Sequence, residues 1–177
     1  DNTYLLAGKR PGMQQATHYI ANWQYNKNER TLRLEGYYKN YADLVRTIFN
    51  SYDPTGFRVI DSSTVVNNDG YGYAQGLELF WRDKKTVKNL DYWISYSYID
   101  TRRLYGSYLA LATPTFVANH NLNLVTKYFV DKWHMNFSAT YSFASGRPYY
   151  NPSYSPTDDS KFLSDRTPAF NNLAFAV

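Results

Sequence analysis

Residues 70–100, GYGYAQGLELFWRDKKTVKNLDYWISYSYID, limit the fold more than any other stretch of the chain. They read as two long strands joined by a tight, charged turn. In the second, Leu90, Tyr92, Ile94, Tyr96 and Tyr98 alternate with Asp91, Trp93, Ser95, Ser97 and Ile99. A side-chain period of two sends the first set to one face of a sheet and most polar groups to the other. The first strand repeats the device with Tyr71, Tyr73, Leu77, Leu79 and Trp81 on one face. Gly72, Ala74, Gly76, Glu78, Phe80 and Arg82 lie opposite, with Phe80 as the apolar exception.

The same alternation recurs along the chain. Thr17, Tyr19, Ala21, Trp23 and Tyr25 oppose His18, Ile20, Asn22, Gln24 and Asn26. After a polar turn at residues 26–29, Leu32, Leu34 and Tyr38 oppose Arg33, Glu35, Tyr37 and Lys39. Leu44, Val45, Ile48 and Phe49 extend that strand or cover a short loop. Turns are expected at residues 53–56 (DPTG) and 67–70 (NNDG). Residues 102–114 are expected to be a loop, and residues 118–129 a fifth strand. Trp133, Met135, Phe137, Ala139, Tyr141 and Phe143 then line one face of the cleanest strand. A proline-rich loop follows over residues 145–168, and Leu173, Phe175 and Val177 begin a seventh strand. The pattern predicts neither an amphipathic helix nor a short repeat beyond the hairpin itself.

The chain has one domain's worth of length, and residues 1–177 read as a single unit. It is 44% hydrophobic and 19% aromatic, and its 19 tyrosines suit boundaries between water and an apolar phase. With no cysteine, a disulfide framework and a thiolate metal site are excluded. The net charge of +4 sits largely at expected turns, at Arg82, Lys84, Lys85, Lys88 and Lys132, rather than along one groove. Nucleic acid is therefore not an expected partner. No run approaches the roughly 18 apolar residues of a membrane helix, and no signal peptide opens the sequence. Barrel strands need only about 9–11 residues and show half their side chains to lipid, so the mean hydropathy of −0.58 is compatible with them.

Three features point to a membrane barrel wall. The strands are about 10–12 residues long, against about 5–6 for a typical strand. Short connections near residues 27, 85 and 131 alternate with long ones near 55, 108 and 157, as in outer-membrane barrels. Aromatics gather near strand ends: Trp23, Tyr25, Trp81, Tyr128 and Trp133 beside the short turns, and Tyr71, Tyr73 and Tyr98 toward the long loops. The competing fold is a soluble sandwich or up-and-down barrel, whose alternating strands bury their apolar faces on each other.

GYAQGLELFW, carrying Gly76-Leu77-Glu78-Leu79, resembles a strand that recurs in TonB-dependent outer-membrane receptors. ATPTFVANHNLNLVTKYFV and SGRPYYNP are similar to the C-terminal half of that family's barrel. The resemblance runs from about His18 onward. It implies a barrel of roughly 22 strands around a plug domain, with import driven from the inner membrane through TonB. The expected architecture is thus an all-β, antiparallel up-and-down transmembrane β-barrel segment of about six full strands plus the start of a seventh. The plug, the TonB-contact segment and the remaining strands are expected to lie outside this sequence, which also ends mid-strand.

Few residues suggest chemistry. His18, His120 and His134 have no second ligand at metal spacing, and Asp158-Asp159 reads as a loop tip more readily than as a calcium site. There is no G-x-S-x-G elbow, no phosphate-cradling glycine loop and no carboxylate pair for glycoside chemistry. No enzymatic role, cofactor or metal is expected. Arg147, Tyr149, Tyr150 and Tyr154 form the candidate ligand cluster, since tyrosine stacks on planar groups and arginine pairs with carboxylate or phosphate. Arg33, Glu35, Lys39, Glu78 and Arg82 are expected to face the lumen and pair with one another or with plug residues. The expected function is nutrient uptake across the bacterial outer membrane, with lipid, the rest of the receptor barrel, the plug and the TonB complex as partners and a small nutrient of unspecified identity as ligand. The alternative is a soluble or surface-exposed, lectin-like β-sheet module.

Overall fold

A computed structural model describes residues 12–52, 58, 59, 63–154 and 159–177. In chain order its strands are β1 (Gln15–Lys27), β2 (Arg30–Ile48), β3 (Ser51–Tyr52), β4 (Arg58–Val59), β5 (Val65–Asp83), β6 (Leu90–Leu104), β7 (His120–Val130), β8 (Met135–Ala144), β9 (Pro148–Tyr149), β10 (Asp165–Arg166) and β11 (Phe170–Ala176). Seven of them form one antiparallel up-and-down sheet in the order β1-β2-β5-β6-β7-β8-β11. β3 with β4, and β9 with β10, make two small ladders inside long connections. β1 and β11 are the margins and do not pair with each other, so the sheet is not closed into a barrel.

The register confirms the two-faced pattern. One row across the sheet reads Trp23, Leu34, Leu79, Tyr96, Leu122 and Phe143. The next row, on the other face, reads Arg33, Phe80, Ser95, Asn123 and Ser142. Among the described residues nothing packs over the apolar face. Trp23 is 53% exposed, Leu77 63% and Phe175 75%. Of the buried apolar side chains, Ala74 lies on the polar face of β5, and the others lie beyond the wall: Leu44 and Val66 near the tips of β2 and β5, and Ala112, Val117, Ala118 and Leu163 in the two loops beyond them.

Short turns have local causes. Asn28 and Glu29 both adopt left-handed backbone (φ 51° and 61°), the conformation that lets a two-residue turn follow the strands' twist. In the turn after β5, Asp83 accepts bonds from the Lys85 and Thr86 amides (2.7 and 2.9 Å), from the Thr86 hydroxyl and from Arg30 Nε (3.1 Å). Asn89 Nδ2 then donates to Asp131 at 2.7 Å, tying this turn to the next short one.

Several expected boundaries move. Residues 67–70 are not a turn but part of β5, facing an irregular stretch of β2 with register shifts between Tyr41 and Leu44 and between Leu44 and Arg46. The turn-forming side chains serve a bulge instead. Asp43 takes φ 56°, and Asn68 Nδ2 donates to its carbonyl at 2.8 Å. Likewise β6 continues through Arg102 to Leu104 because it still has β5 to pair with. Trp133 and His134 belong to the turn before β8. The expected turn at residues 53–56 lies outside the described residues.

Two further features shape the wall. The interior strand β5 carries Gly70, Gly72, Ala74 and Gly76 on its polar side. A methyl group at Gly70 would stand 2.5 Å from the carbonyl oxygens of both Leu44 and Leu104, so only glycine fits between those strands. The strand ends also slide steadily. Lys27 shares its row with Arg30, Asp83, Tyr92 and Thr126, yet β7 runs on to Val130 before turning. The opposite ends descend in the same sense, from Ile48 and Val65 to Ala144 and Phe170.

Candidate functional site

The long connections gather at one end of the sheet and hold each other there. The loop over residues 105–119 reaches the tip of β2 through a backbone bridge, with Gly106 N donating to Val45 O (2.8 Å) and Thr47 N to Gly106 O (2.7 Å). Tyr105 and Tyr108 pack ring on ring (4.8 Å between centroids), and Tyr108 meets Phe162 from the next long loop edge-on at 5.2 Å. Arg166 Nη1 donates to Asn119 Oδ1 at 2.7 Å, again joining the two loops. Burial first, and then the bond with Tyr105, push the Tyr108 phenol up to about 12.

The candidate quartet sits on the second of these loops, which is more ordered than its prolines suggest. β9 and β10 zip its base, with Thr167 N donating to Arg147 O at 2.9 Å and Arg147 N to Thr167 Oγ1 at 3.0 Å. Tyr154 is the one member tied into a side-chain network: its hydroxyl donates to Asp165 Oδ1 (3.2 Å), Asn151 Nδ2 donates to Asp165 Oδ2 (2.6 Å), and Lys161 Nζ lies 4.9 Å from its ring centroid. The bond to Asp165 raises the Tyr154 phenol above its ordinary range. Tyr149 and Tyr150 are exposed, and so is Arg147. No ion pair or ring contact joins Arg147 to the tyrosines among the described residues. The quartet is therefore one fixed ring beside three outward-facing groups. Sequence reasoning missed Asp165 and Lys161, which organise Tyr154. Their distance along the chain hid them, since only the β9–β10 pairing brings them near.

A second arrangement at the same end was also missed. Arg46 Nη1 reaches both oxygens of Asp69 at 3.2 Å, and Arg103 lies over the Tyr41 ring at 4.2 Å while donating to its hydroxyl at 3.2 Å. Arg46 Nε, Asn67 Oδ1 and Arg103 Nε are buried without hydrogen-bond partners. Among the described residues all such orphaned side-chain atoms lie at this end of the sheet.

The polar face collects the five residues expected there. Arg33 stands 5.7 Å from the Phe80 ring centroid and Lys39 5.1 Å from Tyr37. Arg82 and Lys127 both lie 5.4 Å from Trp93, and Arg82 makes a two-pronged bond to Asp91 (2.9 and 2.6 Å). Glu35 and Glu78 are direct cross-strand neighbours, a like-charge pair that costs stability unless a cation joins it. Among the described residues the apolar face carries no comparable polar site. Its main relief is a shallow notch over Ala21 and Gly36, rimmed by Trp23, Leu34 and Leu77, with a volume of about 550 Å³.

The histidines stay apart. His120 Nδ1 lies 2.8 Å from the Tyr96 hydroxyl, and His18 meets Tyr41 edge-on. No group of three or more histidines and acids could hold a metal ion among the described residues. Asp158 lies outside them. The arrangement thus offers binding surfaces, in the loops and on the polar face.

Fold and sites together define an all-β protein built on one open antiparallel meander of long strands. The chain matches neither a protein-family model nor any curated protein.

Proposed function

We propose that this chain is part of the wall of an outer-membrane β-barrel of the TonB-dependent receptor kind, serving nutrient import, with the long loops outside the cell and the polar face toward an enclosed lumen. The observation that carries the reading is an apolar sheet face with no second protein layer over it among the described residues. Such a face in water would expose far more contiguous apolar surface than a soluble monomer tolerates. Lipid tails cover it at no cost.

Dimensions support the reading. Four residues of slide accumulate across the four strand steps between the turn at residues 28–29 and that at 131–134. One residue (~3.4 Å) per strand spacing (~4.8 Å) corresponds to a tilt of about 35°, within the range barrels require. The apolar row of β6, from Leu90 to Tyr98, then spans about 22 Å along the membrane normal, close to the ~25 Å apolar band of such walls. The two open margins need partner strands, because unpaired edges do not persist in lipid. Strands and a plug from outside this sequence would supply them, and plug cations would answer Glu35 and Glu78. No catalytic role is assigned. A lectin-like soluble module would need a covering layer over Trp23, Leu34, Leu77 and Phe175.

The test is extraction and electrophoresis. The protein is expected to partition into detergent and to change gel mobility on heating. Recovery as a detergent-free soluble monomer would sink the proposal.

A further inference from the structure

A small cavity of about 190 Å³ opens between the tip of β2, the loop after β6 and the short helical turn at Asp159–Lys161. Arg46 and Asp159 both line it, and Ile48, Phe49, Tyr108 and Leu109 supply apolar wall. Arg46 spends only Nη1, on Asp69, among the described residues. The Arg46 side chain is 17% exposed, so a mostly dehydrated cation borders the cavity. Asp159 makes no ion pair with it among the described residues. Arg46, already held by Asp69, and Asp159 thus border one chamber without joining each other.

A simple anion would meet Arg46 but be repelled by Asp159 and by Asp69, and a simple amine would meet Asp159 but be repelled by Arg46. A molecule carrying both charges answers both groups, and a branched aliphatic body suits the walls. A guanidinium holds a carboxylate by charge-assisted bonds that strengthen where water is excluded. Tyr108 serves as wall, its ring packed on those of Tyr105 and Phe162. We propose that this cavity binds a small zwitterion of the aliphatic α-amino-acid class, its carboxylate on Arg46 and its ammonium toward Asp159. This deepens the import reading by giving the loops a ligand class, and rests on that reading only for the cavity's facing the outside medium.

The experiment is titration calorimetry with L-leucine on the full-length protein that carries this chain, in dodecyl-maltoside micelles. 4-Methylpentanoate lacks the amine and isopentylamine lacks the carboxylate. L-Leucine is expected to bind saturably, and each single-charge analogue at least tenfold more weakly. Arg46→Gln is expected to weaken leucine at least tenfold. Because that change also disturbs the contact with Asp69, Asp159→Asn, at an exposed position, is the second variant, and the same loss is expected. Equal affinity for 4-methylpentanoate, unchanged binding by Asp159→Asn, or absence of saturable leucine binding would each overturn the inference. The same samples are tested for insertion into lipid vesicles. Insertion without leucine binding removes this inference and leaves the barrel reading standing. Leucine binding by a chain that stays out of lipid keeps the cavity and removes the barrel.

Discussion

The strand wall and the loop end of this molecule are built on opposite rules. In the wall, Trp23, Leu34, Leu77 and Phe175 point outward with nothing over them, and polar groups face the other way. At the loop end, Leu44, Val66, Val117 and Leu163 are buried by neighbouring chain, as in an ordinary water-soluble core. One chain thus carries two hydrophobic arrangements, one buried by its own loops and one left uncovered among the described residues.

The most damaging way to test this contrast is at the seam between the regions. Gly70→Ala places a methyl against carbonyl oxygens of two neighbouring strands, so neither side can yield. It is expected to cost about 4 kcal/mol or more and to abolish the heat-modifiable gel band. Next comes charge in the wall. Leu34→Arg is expected to cost about 2–4 kcal/mol when unfolding is measured from lipid vesicles, while Ser97→Arg on the other face costs little. Equal costs at both positions would mean the two faces meet the same medium.

A smaller effect separates the loop end by pH. Folding favours the protonated Tyr108 phenol, whose value rises to about 12 from about 10 in the unfolded chain. Its stabilising contribution is complete below about pH 10 and is lost as pH rises from there through about 12. Protease cutting in residues 105–119 is expected to rise across that window while strand circular dichroism holds. Smallest is the turn at residues 28–29. Glu29 has φ 61°, where a Cβ is crowded, so Glu29→Gly is expected to stabilise the β1–β2 hairpin by about 1 kcal/mol, read from denaturant midpoints.

The wall was legible because alternation is a local signal: the β1–β2, β5–β6 and β7–β8 hairpins follow from period two and the short turns. Residues 67–70 misled for a physical reason. Asn and Gly favour turns and bulges alike, and only the pairing of β5 with β2 decides between them. The candidate site was half legible. Tyrosines and Arg147 on a proline-rich loop announced a surface, but Asp165 beneath Tyr154 and Arg46 facing the same cavity as Asp159 depend on long-range contacts that leave no periodic trace. The sealed Arg46 Nε and Arg103 Nε likewise arise from how the loops fold back, which side-chain order along the chain does not encode.

The two left-handed residues between β1 and β2 also set a timetable. Asn28 and Glu29 bring their flanking strands together across a gap of only two residues, where closing the chain on itself loses little entropy. A hairpin of this kind zips in roughly 1–10 μs. β2 would then stand as a template before β5, delivered only after residues 49–64, can reach its other edge. Pulse-labelled amide exchange during refolding is expected to find Trp23 and Leu34 protected ahead of Leu79.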